Sequence, residues 1–480
     1  MKNHFIVGLF ALSWSLQAHA TDYYVSPSGD DSNDGSLGTP FLSIRKAIET
    51  AKPGTTIFLR EGTYRPKPSE VMRKGAEGVY DCVYDLTSNG SSESPIVISG
   101  YPGENATIDL SDVKPDARVI GFHVKSDYWH LRDFDIIGIQ VTQTGHTQSI
   151  NVALFGGNNC IIERVNMHDG MGIGVYATRG KNNLVLNCDA YNNYDPVSEN
   201  GKGGNCDGFG FHMNNASFTG NVIRGCRAWR NSDDGFDLIN NLAPVTIENC
   251  WAWENGYDAD RISRGDGTGF KSGGYGMKQN VKAGENVPRN VVRNCIAWSN
   301  KEAGFYANHH LGGLDFHNNT SFRNKRNFNM VNRKSHKKAV DVDGYDHHLT
   351  NNLSYSPTMS GAHCVNIDTS SSTYVNNSFL PEISLNDSDF LSLDPSQLLY
   401  PRNEDGSLPD ITFLKLKDNS KAAALKIGCQ FSDSDDTASL NPTVESREDC
   451  SGNFYNLNGI PTISPSDGIY IHNRQKVMIP

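Results

Sequence analysis

Short apolar runs separated by polar turns recur through the middle of the chain. One kind of run is β-branched, as in Val222-Ile223, a second ends in an aromatic residue, as in Cys226-Arg227-Ala228-Trp229, and a third begins with Gly-Phe, as in Gly235-Phe236. The spacing of three and four residues that an amphipathic helix requires is absent. The pattern therefore predicts three short strands in each repeating unit.

The second kind of run belongs to a motif, Asn-Cys-x-Ala-aromatic-x-Asn, whose copies begin at Asn187, Gly225, Asn249, Asn294 and Asn318. Two of the intervals are 24 residues, and the others are 38 and 45. A fixed unit with occasional insertions is typical of a solenoid. The sequence predicts an all-β, single-domain parallel β-helix with three strands per turn.

Stacking of these units predicts columns of identical side chains inside the coil. We expect the cysteines to be small buried hydrophobic residues, and the asparagines at the motif ends to form a ladder that satisfies turn backbone groups. The inward columns comprise Cys188, Cys226, Cys250 and Cys295, and Phe236, Phe270, Phe305 and Phe328.

The ends of the coil need covers, because an open coil exposes sheet edges. Residues 42–51 have helical periodicity and precede a β-branched run at 56–59, so we expect a helical cap there. The repeat disappears after about residue 390. The predicted division is a signal peptide at 1–20, a β-helix with its cap at 21–390, and a C-terminal cover or tail at 391–480 that packs on the coil.

The residue after each buried phenylalanine must face outward. This places Asp237, Lys271 and Tyr306 in one outer column, and Asp207, Asp233 and Asp234 join the first of these. Four close carboxylates repel one another unless a cation joins them. Calcium suits such an oxygen site, either as a structural ion or as part of an active site.

Lys271 favours an active site, although an exposed lysine near carboxylates is usually a simple ion pair. Calcium would bind a uronate carboxylate and acidify the C5 hydrogen, and a neutral lysine would remove that proton in a β-elimination. Because the pKa of free lysine is about 10.4, it must fall for this role. The sequence therefore predicts an alkaline optimum and a calcium requirement.

Composition and charge restrict the partners. The formal net charge of −11 argues against nucleic acid. Residues 1–20 have the charged, apolar and small-residue order of a secretory signal, and no later run is long enough to span a membrane. We expect an exported monomer, extracellular or periplasmic, whose partner is an acidic polysaccharide.

These residues resemble the family 9 polysaccharide lyases, mainly calcium-dependent pectate lyases with a right-handed parallel β-helix. The matching strings are Cys206-Asp207-Gly208-Phe209, residues 231–238 and residues 265–271. The resemblance implies that Asp207, Asp233, Asp234 and Asp237 bind calcium and that Lys271 is the base. It spans most of residues 21–390. The family also includes exo-acting and rhamnogalacturonan lyases, so these activities are alternatives to cleavage of polygalacturonate.

Two segments interrupt the repeat, the first insertion at 194–205 and the second at 256–268, and either could shape a cleft. Further candidates for substrate contact are Arg261, Arg264, Lys202, Tyr306 and His309. For each of them a solvated loop residue is an equal alternative.

Two other functions compete with a lyase. A β-helical glycoside hydrolase would use paired carboxylates such as Asp233 and Asp234, but it would not need Lys271, and the Gly-His-Gly string of pectin hydrolases is missing. A calcium-dependent polysaccharide-binding protein on the same coil is the non-catalytic alternative.

Overall fold

The structure, a computed structural model, describes residues 21–275, 287–335 and 338–430, together with five short strands after residue 442. The predicted signal peptide at 1–20 lies outside the described residues. The described residues fall into two units, which divide between Cys429 and Gln430. None of their helices is long and apolar enough to cross a bilayer.

The first unit begins with a helical cap and coils built from longer strands. Helix α1 spans Ile44–Thr50, and Ser43 caps it by accepting a hydrogen bond from the backbone N–H of Lys46. The strands of this part are β1 (Asp22–Val25), β2 (Thr56–Leu59), β3 (Gly62–Tyr64), β4 (Arg73–Ala76), β5 (Tyr80–Leu86), β6 (Ile96–Gly100), β7 (Ala106–Asp109), β8 (Arg118–Val124), β9 (Trp129–Ile137), β10 (Ser149–Phe155), β11 (Ile161–His168) and β12 (Gly172–Arg179).

The repeats then follow as shorter strands, three per coil. They are β13 (Leu184–Leu186), β14 (Asp189–Tyr191), β15 (Phe209–Phe211), β16 (Asn221–Arg224), β17 (Arg227–Trp229), β18 (Phe236–Asp237), β19 (Val245–Glu248), β20 (Trp251–Trp253), β21 (Phe270–Lys271), β22 (Val291–Arg293), β23 (Ile296–Trp298), β24 (Ala303–Tyr306), β25 (Asp315–His317), β26 (Thr320–Phe322), β27 (Arg326–Asn329), β30 (His348–Thr350), β31 (Leu353–Tyr355), β32 (Cys364–Val365) and β33 (Thr373–Val375). Strands β28 (Asn332–Ser335) and β29 (Lys338–Val342) are not part of the repeat and pair with each other as an antiparallel hairpin.

Each repeat strand pairs in parallel with its equivalent in the next coil. Strands β16, β19 and β22 form one column, β17, β20 and β23 a second, and β15, β18, β21 and β24 a third. The first two columns belong to one continuous sheet and the third to a separate sheet. The predicted parallel β-helix with three strands per turn is therefore confirmed.

The predicted core columns are present. The rings of Phe236 and Phe270 stack with centroids 4.7 Å apart, and Phe305 follows at 4.9 Å. The motif cysteines are fully buried beside them, as expected of small hydrophobic residues. Identical residues fit one above another because the coil repeats at the strand spacing, about 4.8 Å.

The predicted asparagine ladder joins the coils in the turn between the second and third columns of strands. Asn255 accepts from the side chain of Asn231 at 3.2 Å and donates to Asn300 at 2.9 Å. Its amide also donates to the carbonyl of Ala228 at 3.0 Å, and its oxygen accepts from the backbone N–H of Asn231. Each amide therefore satisfies buried polar groups of the preceding coil.

The motif also places residues in the left-handed backbone region. Asn187, Asn249 and Asn294 have φ of 55°, 53° and 56°, and Gly225, at the same position in its repeat, has φ of 66°. Asparagine and glycine tolerate this conformation best, which explains why the motif begins with one or the other.

The segment after the repeats lies along the coil within the first unit. Short 3₁₀ turns occur at Asp387–Asp389 and Pro395–Leu399, and helix α2 at Lys421–Ala424. Phe413 is fully buried, and its ring meets Trp298 edge to face at 6.2 Å.

A buried ionic cluster fastens the same segment. Arg402 donates to the Asp189 carboxylate at 2.5 Å, and Arg227 donates to the other oxygen of that carboxylate. Arg402 also donates to the carbonyl of Gly225 at 3.0 Å. The contact of Arg402 with Asp189 joins residues 213 positions apart in the chain.

The second unit is described by its strands alone. They are β34 (Thr443–Val444), β35 (Phe454–Tyr455), β36 (Pro461–Thr462), β37 (Gly468–His472) and β38 (Gln475–Ile479). They form one sheet in the order β34-β38-β37-β35-β36.

The ladder yields a stability prediction. We expect Asn255→Ala to lower the free energy of unfolding by about 3 kcal/mol, because it leaves a buried backbone N–H and a carbonyl without partners. Asn403→Ala should cost less than about 1 kcal/mol, since that side chain bonds Ser407 and Leu408 at the surface. Urea unfolding measures both variants, and equal losses would contradict a structural role for the ladder.

Candidate active site

The register of the third column of strands places three polar side chains in one line on its outer face. Asp237 pairs with Lys271, and Lys271 pairs with Tyr306, across β18, β21 and β24. The phenylalanine before each of these residues is fully buried, so the next side chain points to the outer face. The column lies where the repeat predicts it.

Five carboxylates converge beside this column. Oxygens of Asp207, Asp234 and Asp237 lie within 4.8 Å of one another, and so do oxygens of Asp233, Asp234 and Asp266. We call these five residues the aspartate cluster. The first four are buried, whereas Asp266 is exposed. Asp266, which comes from the second insertion, is not among the residues that the sequence suggested.

Backbone amides fix the orientation of the carboxylates. Asp207 accepts from the N–H of Asp234 at 3.1 Å, and Asp233 accepts from the N–H of Asp266 at 2.8 Å. Asp234 accepts from the N–H of Thr268 at 2.6 Å. The glycine-rich segments around the aspartates therefore hold the oxygens in place before any ligand arrives.

The electrostatics of the aspartate cluster are unfavourable. Burial, followed by repulsion from neighbouring aspartates, raises the pKa of Asp207 and of Asp233 well above its usual range. Burial also raises the pKa of Asp234, against the opposing charge of Lys271. Burial acts in the same direction on Asp237, but the charges of Lys271 and His212 outweigh it and hold its pKa at about 2.

These properties fit a divalent cation. The donors are carboxylate oxygens, which hard cations prefer, and a cation would relieve the repulsion that raises the pKa values. Besides these backbone amides, the described residues set only the ammonium group of Lys271 and, when it is protonated, the imidazole of His212 against the charge of the four buried carboxylates. The aspartate cluster could therefore hold a metal ion.

Lys271 lies at the centre of this arrangement. Its Nζ is 2.7 Å from Asp234, 3.5 Å from Asp237 and 3.9 Å from Asp266, and 11% of its side chain is exposed. Burial lowers the pKa of the amine, but the charges of Asp234 and Asp237, then of Asp233 and Asp207, raise it well above the usual value. Without a metal the amine is therefore held in its protonated form.

Two tyrosine–histidine pairs flank the site along the coil. On one side the Tyr306 hydroxyl lies 2.9 Å from Nε2 of His309, whose Nδ1 lies 2.8 Å from Asp341. On the other side the Tyr176 hydroxyl lies 2.9 Å from Nδ1 of His212.

His212 reaches the aspartate cluster directly, since its Nε2 lies 3.6 Å from the Asp237 carboxylate. The sequence analysis missed both Tyr176 and His212. Side chains alternate along Phe209–Phe211, so the next residue, His212, must lie on the outer face. The same alternation rule that located Asp237 and Lys271 could therefore have identified His212 from the sequence.

The remaining candidates separate into two groups. Lys202 and Arg264 line a pocket between the two insertions, beside Asp266. Arg261 instead forms an ion pair with Glu254, and half of its side chain is exposed. The structure therefore places Lys202 and Arg264 in one pocket with Asp266, whose carboxylate lies 3.9 Å from Lys271, whereas Arg261 does not line that pocket.

Known proteins share this architecture. The family model described as "Pel9A-like, right handed beta helix region" matches residues 23–352. Pectate lyase L of Dickeya chrysanthemi is 34% identical over 407 residues, covering 83% of this chain and 84% of that protein. The family description agrees with the predicted right-handed coil.

Two solved structures are also similar. A rhamnogalacturonan lyase has a TM-score of 0.82 and 44% identity, covering 85% of this chain and 99% of its own. The crystal structure of pectate lyase Pel9A has a TM-score of 0.64 and 31% identity, covering 84% of this chain and 90% of its own.

The raised carboxyl pKa values predict how stability depends on pH. Because folding raises the pKa of Asp207 and Asp233, the folded state binds these protons more tightly than the unfolded state. Their contribution is present below the ordinary carboxyl value of about 4 and is lost as pH rises through the raised values. Asp237, with a pKa of about 2, acts in the opposite sense only at lower pH.

We therefore expect the melting temperature of the protein in chelator to fall as pH rises above the ordinary carboxyl value of about 4, and the gain from added calcium to grow in the same direction. Calorimetry with calcium or with EDTA measures the difference. Asp207→Asn removes one repelling charge and should flatten the pH dependence in chelator and reduce the gain from calcium. Parallel curves with and without calcium would contradict the prediction.

Proposed function

The chain belongs to the Pel9A-like right-handed β-helix family, the family 9 polysaccharide lyases, and from this premise we propose that it cleaves polygalacturonate by calcium-assisted β-elimination with Lys271 as the base. It is a polysaccharide lyase, which decides against the hydrolase and the non-catalytic alternatives. The observation that carries the residue assignment is the buried lysine amine, 2.7 Å from Asp234 on an outward column.

Asp207, Asp233, Asp234 and Asp237 are the proposed ligands, and Asp266 lies close enough to join them. Calcium suits the set because it accepts six to eight oxygens in flexible geometry. A calcium ion held by these residues would neutralise a uronate carboxylate, which makes the C5 hydrogen of that sugar more acidic, and would offset the aspartate charges that raise the pKa of Lys271.

Lys271 then performs the proton transfer. Its neutral amine takes the C5 proton, the C5–H electron pair forms the C4–C5 double bond, and the C4–O bond breaks. The leaving oxygen takes a proton from water. Because burial lowers the pKa of Lys271 while the nearby carboxylates raise it, we infer that activity requires calcium and increases toward alkaline pH.

A second substrate is favoured by one comparison. The rhamnogalacturonan lyase structure shares 44% identity with this chain over 99% of its own length. The same elimination at the galacturonate residues of rhamnogalacturonan is therefore the alternative to polygalacturonate cleavage. Incubation with each polymer, with calcium or EDTA, distinguishes the two by the ultraviolet absorbance of the new double bond.

We propose that the enzyme acts outside the cytoplasm as a monomer. The support is the signal-like order of residues 1–20 and a polymeric substrate that is extracellular. Mass spectrometry of the mature protein identifies its N-terminus and so tests whether residues 1–20 are removed. Separation of the culture medium from the periplasm then shows where the protein is delivered.

The central test is Lys271→Ala. We expect it to lower the rate of double-bond formation by about a thousandfold, because the base is lost, while folding remains intact and calcium binding is not weakened. Calorimetric titration with calcium and circular dichroism provide these two measurements. Lys325→Ala, which removes a half-exposed lysine paired with Glu302, should retain full activity.

Near-normal turnover of Lys271→Ala would show that the base is another residue. Turnover that is equal in calcium and EDTA would instead show that the aspartate cluster has no catalytic metal.

A further inference from the structure

The two insertions interlock directly above the aspartate cluster. Ser232 donates a hydrogen bond to the carbonyl of Gly203 in the first insertion at 2.8 Å. A Cβ at Gly265 in the second insertion would lie 2.7 Å from the Ser232 carbonyl and 2.8 Å from both Gly203 and Asp233. The second insertion therefore crosses the first at a point where only glycine fits.

This crossing directs the residues on either side of Gly265 to different places. Asp266 lies 3.9 Å from the amine of Lys271. Arg264 lies instead with its guanidinium 4.3 Å from the centre of the Tyr194 ring in the first insertion. The insertions thus carry one side chain to the catalytic lysine and one to the adjoining pocket.

The pocket between the insertions has a volume of about 540 Å³ and is mainly polar. Its charged lining residues are Lys202, Arg264 and Lys301, with Glu199 and Asp266. Asp266 also belongs to the aspartate cluster, so a cation bound there would offset its charge. The pocket then presents three positive groups against one negative group.

The positive groups retain donors that could reach a ligand. Arg264 uses Nε and Nη2 to bond Asp258 at 2.9 and 2.8 Å, and Nη1 has no hydrogen-bond partner among the described residues. Lys301 donates to the carbonyls of Arg264 and Gly265 at 2.7 and 2.5 Å, which uses two of its three protons. Lys202 is exposed.

The fixed guanidinium is the important feature of the pocket. Asp258 and the ring of Tyr194 hold it in one orientation, so little side-chain entropy is lost when it meets a ligand. A guanidinium forms strong, directional hydrogen bonds with a carboxylate. Carboxylates are the acid groups that a uronate polymer supplies at sugars near the residue being cleaved.

We propose that this pocket is a subsite for a second carboxylate of the substrate, separate from the carboxylate that faces the aspartate cluster, and that Arg264 determines its specificity. The proposal rests on the proposed function, because it assumes a uronate polymer in the cleft. It implies that the enzyme distinguishes free acids from methyl esters at a sugar that is not cleaved.

The test measures binding in the Lys271→Ala background, where the substrate persists. The probe is tetragalacturonate with calcium, or a rhamnogalacturonan backbone octasaccharide if wild type cleaves that polymer instead. By titration calorimetry, we expect Arg264→Gln to weaken binding at least about tenfold and to flatten its dependence on sodium chloride. Arg264→Lys should recover part of the loss because it keeps the charge.

Since Arg264 also neutralises Asp258, a second variant tests the pocket without disturbing that pair. Lys202→Gln should weaken binding about threefold, with an unchanged melting temperature. The matched control is Arg293→Gln, which removes an arginine paired with a buried carboxylate of Glu248 away from the cleft. It should leave binding within about twofold.

In the otherwise wild-type enzyme, the preference for de-esterified over half-esterified polymer should shrink about threefold or more in Arg264→Gln. If the affinity and this preference are unchanged in both pocket variants, the subsite is overturned while the lyase function stands. If wild type forms no unsaturated product from either polymer, the proposed function and the subsite both fall.

Discussion

The register between successive coils is the constraint on which the site depends. Lys271 meets Asp237 only because their strands pair at those residues, and a shift of one residue would turn the lysine into the core. Stacked phenylalanines on the inner face and amide-to-amide hydrogen bonds at the turn hold this register. The same repeats that stabilise the coil therefore determine the distances between Lys271 and the aspartates of the cluster.

The site itself opposes folding. Four carboxylates are buried beside one ammonium group. The raised pKa values of Asp207 and Asp233 show that their charged forms are destabilised in the folded state. Such a pocket persists because the surrounding coil determines its backbone, through the N–H groups of Asp234, Asp266 and Thr268. The framework holds the charges together before a ligand compensates them.

The sequence predicted the parts of this protein that repeat. The three strands, the inner columns, the amide ladder and the approach of Asp207 to Asp234 all follow from spacing and alternation. Features outside the repeat did not follow, because their positions depend on the path of the insertions. Asp266 reaches Lys271 through the crossing at Gly265, and the pairing of Arg264 with Asp258 is equally local to one loop. His212 was within reach of the alternation rule and was overlooked.

The C-terminal segment of the first unit also affects how the protein reaches its folded state. The carboxylate of Asp189 is buried between Arg227 and Arg402. Arg402, the second of these two partners, is synthesised more than two hundred residues after Asp189. A coil growing from the N-terminus therefore carries an incompletely neutralised acid and an uncovered aromatic face around Trp298 until that late stretch arrives. The interval before residue 402 is made therefore bears on the yield of folded protein, and a chain stalled before that residue would expose these groups to chaperones and proteases.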